Sequence, residues 1–510
     1  MGSERRKNAA VATLVTATLA AGVIAMVPRG PEGPRPAPGP AARARAAAAV
    51  GAPAALPELN ALIAERERWL RGRPGDEESW AVLGTAYAER GARFADWDAL
   101  PRAERALRRS LELVPAADGN TEALLGLAAL AGARQDFRAA RDHARQALKQ
   151  RPRRWTVHRA LIDAYSGLGD YKAVAASLEK LTGLYAGPQA RGVAARVYRD
   201  KGWREDAAAT AYDAVAAAEG VAERAAALHR FGDLDWERGE PAEAIASYDL
   251  ALRLDPGHRP ALASRARALA ALGRTDEALR DYRTVLERGP SAEYALEAGE
   301  LYESLGLGEE AGARYAAALA AARRATAAGV NQELPLGRYE ADHGDPEEAV
   351  RRLSAEWERG RRGMETADAL GWALFRAGRA KEALPYAKRA TKEGLRSPLF
   401  SYHRGEIERA LGLYGPARRD IGQALRINPY FSPLLAPAAR AALTALGEPP
   451  AGGPRKLTGR EGAVRGFGTG SSTGASSASS SGVSSGSSSG AGGSGQSGAG
   501  SSGSGAGAGR

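Results

Sequence analysis

The chain contains no cysteine, which removes disulfides, thiolate metal sites, cysteine nucleophiles and the lipid-modified cysteine of a bacterial lipoprotein together. Aromatic residues are scarce, 6% against 44% hydrophobic residues overall. A core has to be built from Ala, Leu and Val, which favours thin, closely packed helices. Lysine is also sparse, so the net charge of +11 rests on Arg. The arginines form short pairs, such as Arg323-Arg324, Arg351-Arg352 and Arg418-Arg419, that never condense into a basic tract. That is the pattern of solvated helix faces in a GC-rich coding background, and nucleic acid is not the expected partner.

Only one long apolar run without charge is present. Arg5, Arg6 and Lys7 precede Ala9 to Val27, and Pro28 opens a Pro/Ala-rich linker expected over residues 28–57. A charged head, an apolar run and a proline-rich exit read as an export signal over residues 1–27. The run is rich in Ala and Thr and barely long enough to span a bilayer. Three readings stay open: a cleaved signal peptide, a retained N-terminal membrane anchor through residues 9–27, or an internal helix. At the other end, residues 447–510 turn to Gly/Ser from about Gly447 and entirely after Gly466, with almost no charge or large apolar side chain there. Such a segment cannot bury a core and is expected to be a disordered tether, with a reach of roughly 40 Å for its sixty-odd residues.

Between these ends the sequence repeats. A Gly is followed five residues later by a small or β-branched residue at Gly169/Val174, Gly202/Ala207, Gly239/Ala244, Gly273/Ala278, Gly306/Ala311, Gly344/Ala349, Gly378/Ala383 and Gly412/Ala417, in steps of 33 to 38 residues. Gly91 and Ala103 open the series with an insertion, and Gln135 stands for the Gly ahead of Ala140. Seven residues before each Gly is a second small site: Gly84, Ala128, Ile162 (the exception in size), Ala195, Gly232, Ala266, Gly299, Gly337, Gly371 and Gly405. The Gly marks the turn between two helices, and the second small site lets those helices approach. Larger apolar residues surround these sites at helical spacing, such as Trp80, Leu83 and Tyr87, or Leu228, Phe231, Tyr248 and Ala251. Pro115, Pro152, Pro256, Pro290 and Pro429 close the second helices.

The pattern Trp80, Leu83, Gly84, Tyr87, Ala103, Leu107, Pro115, with its echoes at Gly232, Ala244, Tyr248, Ala251, Pro256 and at Leu262, Ala266, Ala278, Tyr282, Pro290, resembles the tetratricopeptide repeat (TPR) family over about residues 77–430. The resemblance implies an all-α, right-handed superhelical solenoid of about ten helix pairs. With a helix from about Leu59 to Arg71 before the array and one from Ala436 to Leu446 covering its last face, the solenoid runs over residues 58–446. Departures are Ile162 at a small site, Pro335 inside a first helix, and Glu356 in place of a second-helix Ala. Those units are expected to be distorted.

No catalytic constellation stands out. Two G-x-S-x-G matches, Gly470 to Gly474 and Gly486 to Gly490, lie in the Gly/Ser tail with no strand or helix around them. The G-x-G-x-x-G matches at Gly493 and at Gly306 lack a preceding strand. There is no G-K-[ST] loop or H-E-x-x-H, and the six His lack ligand spacing. The single tight group, Asp342, His343 and Asp345, reads as a solvated turn before it reads as a metal site. No enzyme activity, cofactor or metal is expected.

What remains is a protein or peptide partner held by an interaction scaffold outside the cytoplasm, secreted or anchored. The alternatives are an accessory subunit of an envelope enzyme or export system, and a binder of anionic polymers. By the family resemblance, the concave side formed by the first helices carries the recognition residues. One position round from the helix–helix contact, the stripe reads Arg159 and Asp163, Arg196 and Arg199, His229, Asp233 and Trp236, Arg267, Glu300 and Glu303, Arg338, Trp372 and Phe375, then Tyr402, Glu406 and Arg409. Trp236 and Trp372 are expected to stand exposed and to anchor the partner. The Lys/Asn clamp that some family members use for a terminal carboxylate is not at these positions.

Overall fold

The structure is a computed structural model and describes residues 38–448; the expected export segment over residues 1–27 and the Gly/Ser tail lie outside it. Within the described residues the chain is all helical, with 23 α-helices joined by short turns. Twenty of them form ten antiparallel pairs, from repeat 1 (Glu77–Phe94 with Ala99–Leu113) through repeats 2 to 5 (Thr121–Ala133 with Phe137–Gln150, Trp155–Leu168 with Tyr171–Leu184, Pro188–Asp200 with Arg204–Ala217, Val221–Glu237 with Pro241–Leu254) to repeats 6 to 10 (Arg259–Ala271 with Thr275–Glu287, Ala292–Ser304 with Gly308–Ala327, Glu333–His343 with Pro346–Glu358, Met364–Arg376 with Ala380–Ala390, Pro398–Ala410 with Tyr414–Ile427). Each pair packs on the next. Leu56–Gly72 precedes the array and Leu435–Ala445 closes it. No helix among the described residues is long and apolar enough to cross a membrane.

Local chemistry starts and stops these helices where the sequence predicts. Asp76, Asp136 and Asp170 each accept the backbone N–H three residues on, at 2.9 to 3.0 Å, satisfying donors that the first helical turn leaves open. The second small site works as expected: a Cβ at Gly84 would meet Leu107 Cγ at 2.5 Å, and one at Gly232 would meet the Tyr248 ring at 2.7 Å. Tyr248 is fully buried, with its hydroxyl donating to Asp233 Oδ1 at 2.9 Å. Ile162 is likewise fully buried, against Val174 and Leu178. Gln135 adopts the left-handed backbone of the glycine it replaces, with φ 61°.

Four local expectations are corrected. Within the expected linker, Pro40–Ala49 is a helix packed on Leu56–Gly72, with Ala44 buried; Pro40 sits at its first turn, where a missing N–H costs nothing. Gly91 lies inside a helix against Leu100, and Ala95 at φ 54° makes that turn. Gly344 has φ −133° and is not left-handed. Pro335 falls in the first turn of Glu333–His343, so it interrupts no hydrogen bond. Glu356 is buried as expected for its position, and Asn331 Nδ2 donates to it at 2.9 Å while Arg359 pairs with it at 2.5 Å.

The ten repeats wind far enough for the array to meet itself. The Met364 N–H of repeat 9 donates to the Tyr171 hydroxyl of repeat 3 at 2.8 Å, across 193 residues. Asn428 Nδ2, just past repeat 10, donates to the Trp236 carbonyl of repeat 5 at 2.7 Å, across 192. The Asn331 N–H, ahead of repeat 8, donates to the Arg134 carbonyl of repeat 2 at 3.0 Å. Arg361 Nη2 donates to Gln135 at 3.0 Å. One turn thus takes about six repeats, and successive turns touch along a seam. At that seam the turn glycines of repeats 3 and 4, Gly169 (φ 73°) and Gly202 (φ 74°), lie so near the backbones of Arg362 and Gly394 that neither could carry a Cβ.

Candidate partner channel

Because the coils touch, the concave side is a deep, partly open channel. The first helix of each pair faces inward, and one continuous cavity of about 1760 Å³ is lined from Ala48 to Arg440. Of the sixteen residues of the expected stripe, ten line it: Arg159, Asp163, Arg196, Arg199, His229, Trp236, Arg267, Glu300, Arg338 and Trp372. The stripe's period of i, i+4, i+7 accounts for the convergence, since it keeps one face of each inner helix toward the axis.

Most of the lining charges are tied across neighbouring repeats. Asp163 pairs with Arg196, Arg199 with Asp200 at 2.7 Å and Glu237 at 3.3 Å, and Arg267 with Glu297 at 2.8 Å. His229 Nε2 sits 3.1 Å from Ser264 Oγ, and Asp233 accepts from Ser264 at 3.1 Å as well as from Tyr248, which turns Asp233 away from the cavity. Arg338 is exposed to the channel. The other expected residues, Glu303, Phe375, Tyr402, Glu406 and Arg409, do not line it. Phe375 and Tyr402 pack around Trp372, with ring centroids at 5.0 and 6.0 Å, and Glu406 is held by Arg409 at 2.6 Å.

The two tryptophans are not exposed anchors. Trp372 is 5% exposed, stacked on His403 at 4.0 Å with its indole N–H donated to Asp342 at 2.9 Å. Trp236 is 7% exposed, with the Arg267 guanidinium 5.9 Å from its ring. Both cement adjoining repeats. A stripe read on one helix cannot show what the next repeat lays over it. The Asp342, His343 and Asp345 group also disperses. Asp342 goes to Trp372 and Arg376, Asp345 caps the next helix, and His343 stacks on Tyr315 at 4.5 Å near Glu300 and Glu303.

Several lining residues were missed. Glu293 and Glu297 continue the stripe of Glu300 one and two turns toward the helix N-terminus, so the same period would have found them. Arg230 adjoins His229, one step off the stripe. Arg230 reaches solvent inside the channel yet is ringed by protein, which with Arg159 and Arg196 pushes it down to about 10. On another part of the wall, burial and then Glu297 push the Glu293 carboxyl up. Burial raises Glu300 too. The basic stretch on repeats 3 to 5 and the acidic stretch on repeat 7 therefore each hold like charges close together. The arrangement offers opposed charges to a chain lying along the channel. The hydroxyl that lies beside an imidazole, Ser264 Oγ near His229, donates to Asp233 and is not part of the cavity lining; among the described residues there is no cluster that could hold a metal ion.

Two tetratricopeptide repeat models match, over residues 235–299 and 369–430. No curated protein matches significantly in sequence. Among solved structures, a tetratricopeptide repeat protein from Parabacteroides merdae is 21% identical, covering 51% of this chain and 99% of its own, with a TM-score of 0.31. The Cut9–Hcn1 hetero-tetramer of the APC/C is 14% identical over 72% of this chain and 76% of its own, with a TM-score of 0.36. The MamA protein is 22% identical over 33% of this chain and 91% of its own, with a TM-score of 0.26.

Proposed function

The chain belongs to the tetratricopeptide repeat family, and from that premise we propose that it is a non-catalytic scaffold that holds a partner polypeptide in its inner channel, outside the cytoplasm. The observation that carries the reading is the convergence of ten stripe residues, with Arg230, Glu293 and Glu297, on one continuous cavity. A channel wound by touching coils suits an extended segment better than a folded domain. Arg196, Arg199 and Arg267 are engaged by carboxylates and repeat 7 adds an acidic stretch, so the lining carries both signs of charge and suits a polypeptide of mixed charge better than an anionic polymer. The extracytoplasmic side rests on Arg5, Arg6, Lys7 and the run Ala9 to Val27. A reporter active only outside the cytoplasm, fused after Leu446, is expected to score; activity solely inside would refute that part.

The scaffold reading is tested by reversing charges that face the channel without serving the core. In Arg230→Glu with Glu293→Lys, the melting temperature is expected to stay within a few degrees of the parent. Capture of the partner by photocrosslinking from the native envelope is expected to be lost. Undiminished capture by a folded double variant would show that the channel is not the recognition surface.

A further inference from the structure

The chain's own residues 51–54, between the helices Pro40–Ala49 and Leu56–Gly72, form a strap along the channel: Gly51 closes the first helix in a left-handed turn, with the Ala52 N–H donating to the Ala47 carbonyl at 2.8 Å, and the chain then runs on through Pro53 and Ala54 without regular secondary structure. Gly51 takes φ +57° and its carbonyl accepts from Arg159 on the inner helix of repeat 3. Three residues on, the Ala54 N–H donates to Glu89 Oε1 at 3.1 Å and the Ala54 carbonyl accepts from Arg93 at 2.5 Å, both on the inner helix of repeat 1. Glu89 and Arg93 are themselves paired at 2.7 Å, so they form a fixed acceptor–donor fork that reads both main-chain polar groups of one residue. The strap touches repeats 1 and 3 and so bridges the inner face of repeat 2, where Leu125, Gly126, Ala129 and Gly132 also line the cavity. Ala52 and Ala54 are buried, at 8% and 2% exposed.

Three features distinguish this from ordinary packing of a terminal segment. All three groups that hold the strap are charged side chains of the channel wall, and Arg159 belongs to the recognition stripe. All three bonds go to main chain. The strap's own side chains are a hydrogen, two methyls and a proline ring, so the site recognises backbone with almost no demand on sequence beyond smallness. Gly51 sets that demand through its left-handed backbone, φ +57°, which larger residues adopt only with strain.

We propose that Glu89, Arg93 and Arg159 form a main-chain-reading site for a small-residue peptide, and that residues 51–54 occupy it in cis. An Ala/Gly/Pro-rich partner segment enters this end of the channel only by displacing them. The proposal rests on the scaffold reading but concerns repeats 1 to 3 alone. A partner bound through repeats 4 to 9 would keep the scaffold reading intact if the strap proposal failed.

The test uses the full chain and a fluorescent synthetic peptide of its residues 48–57. The parent chain, its site filled in cis, is expected to bind the peptide weakly. A strap variant, Gly51→Val with Ala54→Asp, leaves Glu89, Arg93 and Arg159 in place and is expected to bind at least about tenfold more tightly. Adding Glu89→Ala and Arg159→Ala should remove about tenfold or more again, since each charged hydrogen bond to peptide is lost. Equal affinity of parent and strap variant, or peptide binding indifferent to Glu89 and Arg159, would overturn the proposal. Hydrogen exchange on the unaltered chain gives a second readout that needs no variant to fold. The Ala54 amide should be protected, and should lose protection as peptide excess rises; an amide still protected with peptide bound would equally refute displacement.

Discussion

The turn glycines of repeats 3 and 4 and those of repeats 9 and 10 carry the same local code and almost the same backbone, with φ between 73° and 77°. Their surroundings differ. Gly169 and Gly202 receive the backbone of the next coil, whereas a Cβ at Gly378 or Gly412 would meet nothing within 4 Å. One sequence signal thus serves two levels of structure. In the outer repeats glycine is there for its φ alone; in repeats 3 and 4 it also makes room for a coil about 190 residues away. The contrast shows that the period defines each pair of helices, whereas the seam is a property of how many pairs are wound together.

The sharpest way to break that contrast is to add one methyl group at each kind of site. Gly378→Ala is expected to cost about 1 kcal/mol for the left-handed backbone. Gly202→Ala should cost that plus about 1–3 kcal/mol of overpacking against Gly394, read from denaturant midpoints. Equal costs would mean that the coils do not touch in solution. A smaller effect is expected from Asn428→Ala, which leaves the Trp236 carbonyl without its seam donor and should cost about 1–3 kcal/mol. Amide exchange around the repeat 5 turn should rise while repeats 6 and 7 keep their protection; a uniform rise would assign Asn428 to general stability and not to the seam.

Smallest is a pH effect that separates two histidines away from the seam. Burial opposes the charged form of His343, but the nearby carboxylates of Glu300, Glu303 and Asp342 outweigh burial and raise its pKa. Its stabilising contribution is therefore complete below about 6.5 and fades as the pH climbs through the raised folded value. His258 has the opposite sign: burial, then His229, Arg93 and Arg230, holds it down to about 3. Stability falls as the pH drops below about 6.5 toward 3. His343→Gln should flatten the alkaline limb of the melting-temperature profile and His258→Gln the acid limb. Profiles unchanged by both would remove these residues from the account.

Much of this architecture is legible in the sequence, because it depends on spacing. Gly232 opposite Tyr248, the five closing prolines and the left-handed Gln135 all follow from a period that a single helix pair imposes on its own residues. The channel lining was legible to the same extent, as ten positions on one stripe. Trp236 and Trp372 went astray because their cover comes from neighbouring repeats and from the adjacent coil, which no stripe on one helix encodes. The helix Pro40–Ala49 was hidden by a proline-rich context whose leading Pro in fact suits a first turn. Glu89 and Arg93 have no signal in the repeat pattern; they stand out only once Ala54 is seen between them.

The seam also changes how this chain can assemble. A solenoid ordinarily gains its stability from neighbour to neighbour, so that its parts form locally and its unfolding can begin at either end. Here Tyr171 with Met364, and Trp236 with Asn428, join positions more than 190 residues apart. Closing so long a loop from unfolded chain would be slow, but the intervening repeats are stiff once formed, so the contact becomes the docking of one prebuilt coil on another. Folding then has two stages, fast winding followed by coil closure. Repeats 8 to 10 act at a distance as the cap of repeats 2 to 5, and removing the last repeats should loosen the front half of the array as well as shorten it.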